Sequence, residues 1–282
     1  MYKVEILADS LAEHHHSSGV RLITVAATYP RIVLAEANTH RSLSRNTASS
    51  RAIPVETRCS AIEASPFVPV AFSKNKRGMQ ADEVLGDEDN MAAEAIWRSA
   101  LADSLRHARA LAKLGVHKQY ANRLTEPFAW VTQIITATEW DNFFALRTHA
   151  DAQPEIQEIA VMMLEAIRSH TPVLLYPGQW HLPLVSSDEA SQASEISLWP
   201  VKLSVARCAA VSYEKHDVKK SRDDELARHD LMLGVGHMSP FEHQACALHP
   251  SRTVWSGNFR GPWQQYRKTI KDEYLFGGKR ML

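Results

Sequence analysis

Cysteine is scarce in this sequence, with Cys59, Cys208 and Cys246 the only three. An odd count without C-x-x-C spacing excludes a zinc ribbon or a disulfide scaffold and fits a reducing compartment, so a cytoplasmic location is expected. Long apolar runs are missing as well. Stretches such as Ile32 to Ala35 and Ile134 to Ala137 are short, and the first residues do not join a basic stretch to an apolar one. Neither a membrane span nor a secretory signal is expected. Net charge is also absent, because 32 Lys and Arg balance 32 Asp and Glu. No whole-molecule field therefore steers the chain to nucleic acid or anionic lipid, and any anion must be caught by a local group of residues. Neither GxGxxG nor GxxxxGK with Ser or Thr occurs, so a Rossmann turn and a P-loop are not indicated. No segment repeats with a period of roughly 20 to 50 residues, which argues against solenoids and propellers.

What remains is an ordinary globular composition, 45% hydrophobic and 23% charged over 282 residues, long enough to bury a sizeable core. Val20 to Thr28 is β-branched and aliphatic and reads as a strand; Pro30 can open a helix running to about Thr39. Met91 to Leu114 sets Ala95, Leu101, Leu105, Ala108 and Leu111 near helical spacing, with Gly115 as the stop. Phe128 to Ala137 suits a strand or an apolar helical turn equally. Helices are expected over Glu139 to Arg147, Pro154 to His170 and Asp223 to Val235, a strand over Glu242 to Thr253, and a polar, Pro-containing connection over Thr171 to Leu198. Strands scattered among helices give a mixed α+β class with no internal boundary, so residues 1–282 are expected to form one domain.

His14, His15 and His16 make a metal-like tract, but no carboxylate or cysteine has the spacing to complete a site, and a solvated polar loop is expected; no metal is assigned. The densest chemistry lies between Thr39 and Arg51. Those thirteen residues hold three Arg, one His, four Ser and two Thr, with no acidic side chain. Guanidinium forks, hydroxyls and main-chain amides are the groups that bind phosphate oxygens, so a phosphorylated small molecule is the expected ligand. The same composition suits a solvated loop whose arginines pair with carboxylates elsewhere. Nucleic acid is disfavoured, since no aromatics interleave with the basic residues.

The run His40-Arg41-Ser42-Leu43-Ser44-Arg45-Asn46-Thr47-Ala48-Ser49-Ser50-Arg51 resembles the signature of flavin-dependent thymidylate synthases, with His40, Arg41, Ser49 and Arg51 at the family positions and Thr39 where the family has Arg. Asn142-Phe143-Phe144-Ala145-Leu146-Arg147, continuing to Asp151-Ala152-Gln153, is similar to a second family element; Asp151 stands where many members have His. A third, Gly236-His237-Met238-Ser239-Pro240-Phe241-Glu242-His243, preceded by Ala210-Val211-Ser212-Tyr213, resembles an element that commoner members carry before the signature. Here it follows the others, so the order looks circularly permuted, which close termini would permit.

The resemblance implies an α+β fold with antiparallel sheet and a synthase that methylates dUMP, using FAD, with methylenetetrahydrofolate and NADPH as cosubstrates. It implies nucleotide contacts from Glu36, Thr39, Thr47, Ala48, Ser49, Ser50, Arg51, Arg123 and Arg147, and flavin contacts from His40, Arg41, Thr47, Asn142, Asp151, Ser212, His237 and Ser239. Arg147 and Ser49 would stand at the reacting centre, Arg147 balancing charge on the uracil ring and Ser49 acting as a ligand, not as a nucleophile. A homotetramer is implied, with the arginine segment and the Asn142 helix meeting across chains. Thr39 and Asp151 leave room for a homologue that stops at hydroxymethyl or acts on a cytosine nucleotide, and a non-catalytic nucleotide-binding protein is the reading from another class.

Overall fold

The computed structural model describes residues 1–14, 17–78, 83–193, 197–213 and 220–275. Its strands are β1 (Lys3–His14), β2 (Ser17–Pro30), β3 (Ser44–Thr47), β4 (Trp130–Ala137), β5 (Val173–Leu175), β6 (Trp180–His181), β7 (Ala245–Ala247), β8 (Val254–Ser256), β9 (Phe259–Gly261) and β10 (Trp263–Gln265). Its α-helices are α1 (Leu34–Ala37), α2 (Val55–Ala64), α3 (Asp87–Lys113), α4 (Lys118–Ala121), α5 (Asp141–Arg147), α6 (Pro154–Ser169), α7 (Ser187–Ala190), α8 (Trp199–Ala210) and α9 (Arg222–Gly234).

Five strands form the main sheet in the order β3-β4-β2-β1-β5. All its pairs are antiparallel except β1 with β5, which run parallel. Period-two alternation sorts β2: Ile23, Val25, Ala27 and Tyr29 face α5 and α6, where Phe143, Phe144, Ile156, Ile159, Met163 and Ile167 complete the core. The even positions face a second layer. Leu22 packs there with Ala245, Phe259 and Trp263, while Ile134 of β4 meets Cys208 of α8. A smaller sheet, β10-β7-β6, lies in that layer. Gly261, at the end of β9 in the two-stranded sheet β8-β9, approaches β2 closely: with φ of 80°, a Cβ there would come within 2.7 Å of Val20 Cγ2. The long helix α3 packs Leu105 and Ala108 on Cys59 and Ile62 of α2, beside Phe128.

Several expectations need correction. Phe128 to Ala137 resolves as strand β4, because it pairs with β2 on one side and β3 on the other. The expected strand over Glu242 to Thr253 is a 3-10 turn (Ser239–Glu242) followed by the three residues of β7. The expected connection over Thr171 to Leu198 contains β5, β6 and α7. The helix after Pro30 is a 3-10 turn followed by four α residues. His14 ends a strand, not a loop, and its Nε2 lies 2.7 Å from Thr253 Oγ1; His15 and His16 fall outside the described residues. Helix α8 had no amphipathic signature because it is buried nearly all round, including Val201, Leu203, Val205, Ala206 and Cys208. Among the described residues no helix is long and apolar enough to cross a membrane, and no cluster could hold a metal ion.

A chain of buried polar side chains crosses the second layer. His181 Nδ1 lies 2.8 Å from Ser10 Oγ and its Nε2 2.8 Å from Thr24 Oγ1. Thr24 meets Thr136 at 2.7 Å, and Thr136 meets His243 Nδ1 at 2.8 Å. Burial pushes both His181 and His243 down to about 3. His243 Nε2 is buried with no hydrogen-bond partner among the described residues, so a proton there would find no acceptor. In the unfolded chain each ring titrates near about 6.5. Below that pH the unfolded chain takes up protons that the folded chain refuses, so this stability is complete above pH about 6.5 and is lost as pH falls toward 3. Each ring contributes a slope of up to about 1.4 kcal/mol per pH unit. Urea unfolding between pH about 7 and 5 should show that decline, and His181→Gln with His243→Gln should flatten it. A wild-type stability constant over the window would contradict the account.

Candidate active site

Strand β3 carries the middle of the arginine and serine segment along the sheet edge, and Asn46 points into the second layer. Its Nδ2 donates to the carbonyl of Cys208 on α8 at 2.7 Å, and its Oδ1 accepts from Ser239 Oγ at 3.3 Å. Just past β3, the Ser49 amide donates to the carbonyl of Ser212 at 3.1 Å. These bonds bring the first and third sequence elements together although they lie far apart in the chain. Helix α9 delivers the third. The His237 amide bonds the Met232 carbonyl and the Gly236 amide bonds the Leu233 carbonyl, with Gly236 at φ of 72°. This Schellman-type end turns His237 and Ser239 back toward β3.

Between these walls lies a cleft of about 890 Å³, lined by Asn46, Ser49, Arg51, Ser212, His237 and Ser239 among others. Lys118, Lys220 and Arg228 line it too, and among the described residues no carboxylate does. Sequence reading missed these three and Asn46. The signal for Arg228 was present, since Arg228, Leu231, Met232 and Val235 repeat at i, i+3, i+4 and i+7 and all line the cleft.

The second element meets the other end of the arginine segment within the chain. Arg147 Nε donates to His40 Nε2 at 2.9 Å, and its Nη2 donates to the Glu36 carbonyl at 3.3 Å and to Thr39 Oγ1 at 3.2 Å. Thr39, where the family has Arg, thus helps fix Arg147. Burial lowers the His40 pKa, helped by the nearby Arg147 and Arg45 and opposed by a hydrogen bond with Asn142. A neutral ring accepting from Arg147 at Nε2 carries its proton on Nδ1. The ring of Phe143 packs edge-on to His40 at 5.0 Å.

Other site candidates sit elsewhere. Ser50 Oγ donates to Glu126 at 2.5 Å, Arg123 donates to the same carboxylate at 2.9 Å, and Arg31 lies 3.0 Å from it. Burial works against ionisation of Glu126, but these donors outweigh it and hold its pKa below the usual range. Ser50 and Arg123 do not line the cleft. Thr47 Oγ1 accepts from Gln133 at 2.7 Å, and the Ala48 carbonyl accepts from Arg31 at 3.2 Å. Arg41 is exposed, and Asp151 lies beside His149 at 3.4 Å, away from the cleft lining. Of the thiols, burial raises Cys59, and pushes Cys208 up to about 12.

Truncating Asn46 should strand the Cys208 carbonyl in a buried site. Asn46→Ala is expected to cost about 1–3 kcal/mol in denaturant unfolding, and Asn46→Asp at least as much, because a carboxylate oxygen would then face that carbonyl. A loss below about 0.5 kcal/mol for both would show that the bridge does not hold the layers together.

Comparison with family models agrees with the resemblance. The family described as thymidylate synthase complementing protein matches residues 3–173. No curated protein matches the sequence significantly. Two solved structures of the UMP/dUMP methylase PolB from Streptomyces cacaoi are similar, bound with 5-Br UMP and with 5-Br dUMP. Their identities are 17% and 15%, they cover 59% of this chain and 88% and 89% of their own, and both have a TM-score of 0.48. The family match takes in β1, β2, the arginine segment and the Asn142 helix, and stops before Ser212 and His237, which the fold returns to Ser49 and Asn46. The chain belongs to the thymidylate synthase complementing protein family, the flavin-dependent thymidylate synthases.

Proposed function

We propose that this chain is a flavin-dependent thymidylate synthase that converts dUMP to dTMP, with FAD bound, methylenetetrahydrofolate as carbon donor and NADPH as reductant. The observation that carries this reading is the meeting of Ser49, Arg51, Ser212, His237 and Ser239 in one cleft with no carboxylate among its described lining residues. Hydroxyls, amides and unopposed cations are the donors that phosphate-bearing ligands require, so this lining suits both a nucleotide and a flavin dinucleotide. We assign the dUMP phosphate to Ser49 and Arg51, and the flavin to His40, Asn142, Ser212, His237 and Ser239. One catalytic domain acting as a homotetramer in the cytoplasm completes the proposal.

When bound, reduced flavin supplies the electrons that complete the methyl group. The chain's own residues bind, orient and balance charge. Arg147 is held at Nε and Nη2, which leaves its Nη1 without a partner among the described residues and free to meet negative charge on a pyrimidine ring. A thiolate attack on the ring has no support, because Cys208 is fully buried and pushed up to about 12, and Cys59 is buried and raised.

Incubating the flavin-loaded protein with dUMP, methylenetetrahydrofolate and NADPH should yield a nucleotide with the mass of dTMP. Replacing Cys59, Cys208 and Cys246 together should preserve turnover per folded, flavin-loaded protein. Arg147→Ala should lower kcat by about 100-fold or more, the range for removing one donor to developing charge. A hydroxymethyl product, or turnover only with dCMP, would redirect the proposal to those homologues. Loss of turnover in the folded thiol-free variant would reject the mechanism.

A further inference from the structure

Lys220, just before α9, and Arg228, on α9, line the cleft together with Arg51 and Lys118, and no part of the proposed chemistry uses them. Five other half-buried arginines are paired with carboxylates, whereas Arg45 and Arg147 are held by neutral groups. Arg21 pairs with Asp9, Arg31 with Glu126, Arg109 with Glu56 and Glu63, Arg207 with Glu189 and Glu225, and Arg267 with Glu242 and Glu273. Arg228 is half-buried in the same way but has no ion pair among the described residues. Of the acids one turn back along its helix, Glu225 is buried and already bound by Arg207, and Asp224 accepts from Ser221. Removing a guanidinium from water without a counter-charge is costly, so a half-buried cation lining a cleft with no carboxylate among its described residues indicates an anionic ligand.

Charge and size identify the kind of ligand. Arg51, Lys118, Lys220 and Arg228 place four formal positive charges around one cleft, twice what a single phosphate dianion neutralises. Its volume, about 890 Å³, is near the top of the range for small-molecule sites and exceeds what a mononucleotide fills. Ala209, Ala210, Leu231, Met232 and Val235 also line the cleft and give it an apolar surface suited to rings.

We infer that Lys220 and Arg228 form a second anion subsite, which takes the diphosphate of a dinucleotide while Arg51 and Lys118 take the monophosphate of the substrate. The inference deepens the proposed function and rests on it for the identity of the dinucleotide. The subsite itself can be tested without flavin. Titration calorimetry of the full chain with inorganic pyrophosphate should show binding that Arg228→Gln weakens at least about 10-fold and Arg228→Lys weakens less. Exposed Lys220 offers a variant with little risk to folding, and Lys220→Gln should act in the same direction. dUMP affinity should stay within about twofold in these variants, whereas Arg51→Gln should weaken dUMP and leave pyrophosphate nearly unchanged. Pyrophosphate binding that is absent from the wild type, unchanged in the Arg228 and Lys220 variants, or weakened equally by Arg51→Gln would overturn the subsite. FAD binding separates the two ideas. If Arg228→Gln binds FAD as tightly as the wild type, the subsite assignment fails and the flavin reading stands. If the wild type binds pyrophosphate through Arg228 but neither FAD nor dUMP, the subsite stands and the proposed function fails.

Discussion

The side-chain amide of Asn46 is the constraint on which the site depends. One residue on an edge strand reaches a carbonyl 162 positions away and a hydroxyl 193 positions away, using its donor on one and its acceptor on the other. Three residues later the main chain of Ser49 fastens to Ser212. Short contacts of this kind do not depend on the order in which the chain visits the elements. The permuted order of the sequence elements is therefore compatible with a single cleft, provided the edge strand and the buried helix α8 are held at one spacing. The sheet and the shared core set that spacing.

Around this junction the protein handles its cations in two ways. Where arginines join elements, carboxylates neutralise them. Arg207 clamps α7 and α9 onto α8 through Glu189 and Glu225, and it holds Glu189 down to about 2. At the other end of the chain, Arg267 joins Glu242 and Glu273. In the cleft the cations stand without such partners, and at the His40 end Arg147 is held by an imidazole, a carbonyl and a hydroxyl in place of an acid. A guanidinium positioned by neutral groups keeps its charge available to a ligand, whereas one positioned by a carboxylate would already be neutralised.

Sequence alone made the arginine segment legible because its composition is local: thirteen residues with donors and no acid. Helices α5, α6 and α9 were legible for the same reason, since their apolar spacing and stop residues lie within one window. What stayed hidden was set by tertiary contact. Helix α8 is apolar on every side, so it shows no helical face. β5 and β6 are too short to show a period, and β5 becomes a strand only through its partner β1. The role of Ser50 could not be read from its place in the signature, because the carboxylate that takes its hydroxyl, Glu126, lies 76 residues away. Asp151 is expected from the resemblance to contact flavin where many members have His; it lies beside His149, two residues upstream. Lys118 and Lys220 are isolated in sequence and become site residues only when the two walls face each other.

The most direct test of this account is a crystal structure of the protein grown with dUMP. The account predicts that the nucleotide phosphate lies within hydrogen-bonding distance of Ser49 and the Arg51 guanidinium, in the cleft walled by α9, with Asn46 still bonded to the Cys208 carbonyl. A phosphate seated outside that cleft, or a bound state in which the Asn46 bridge is broken, would contradict it.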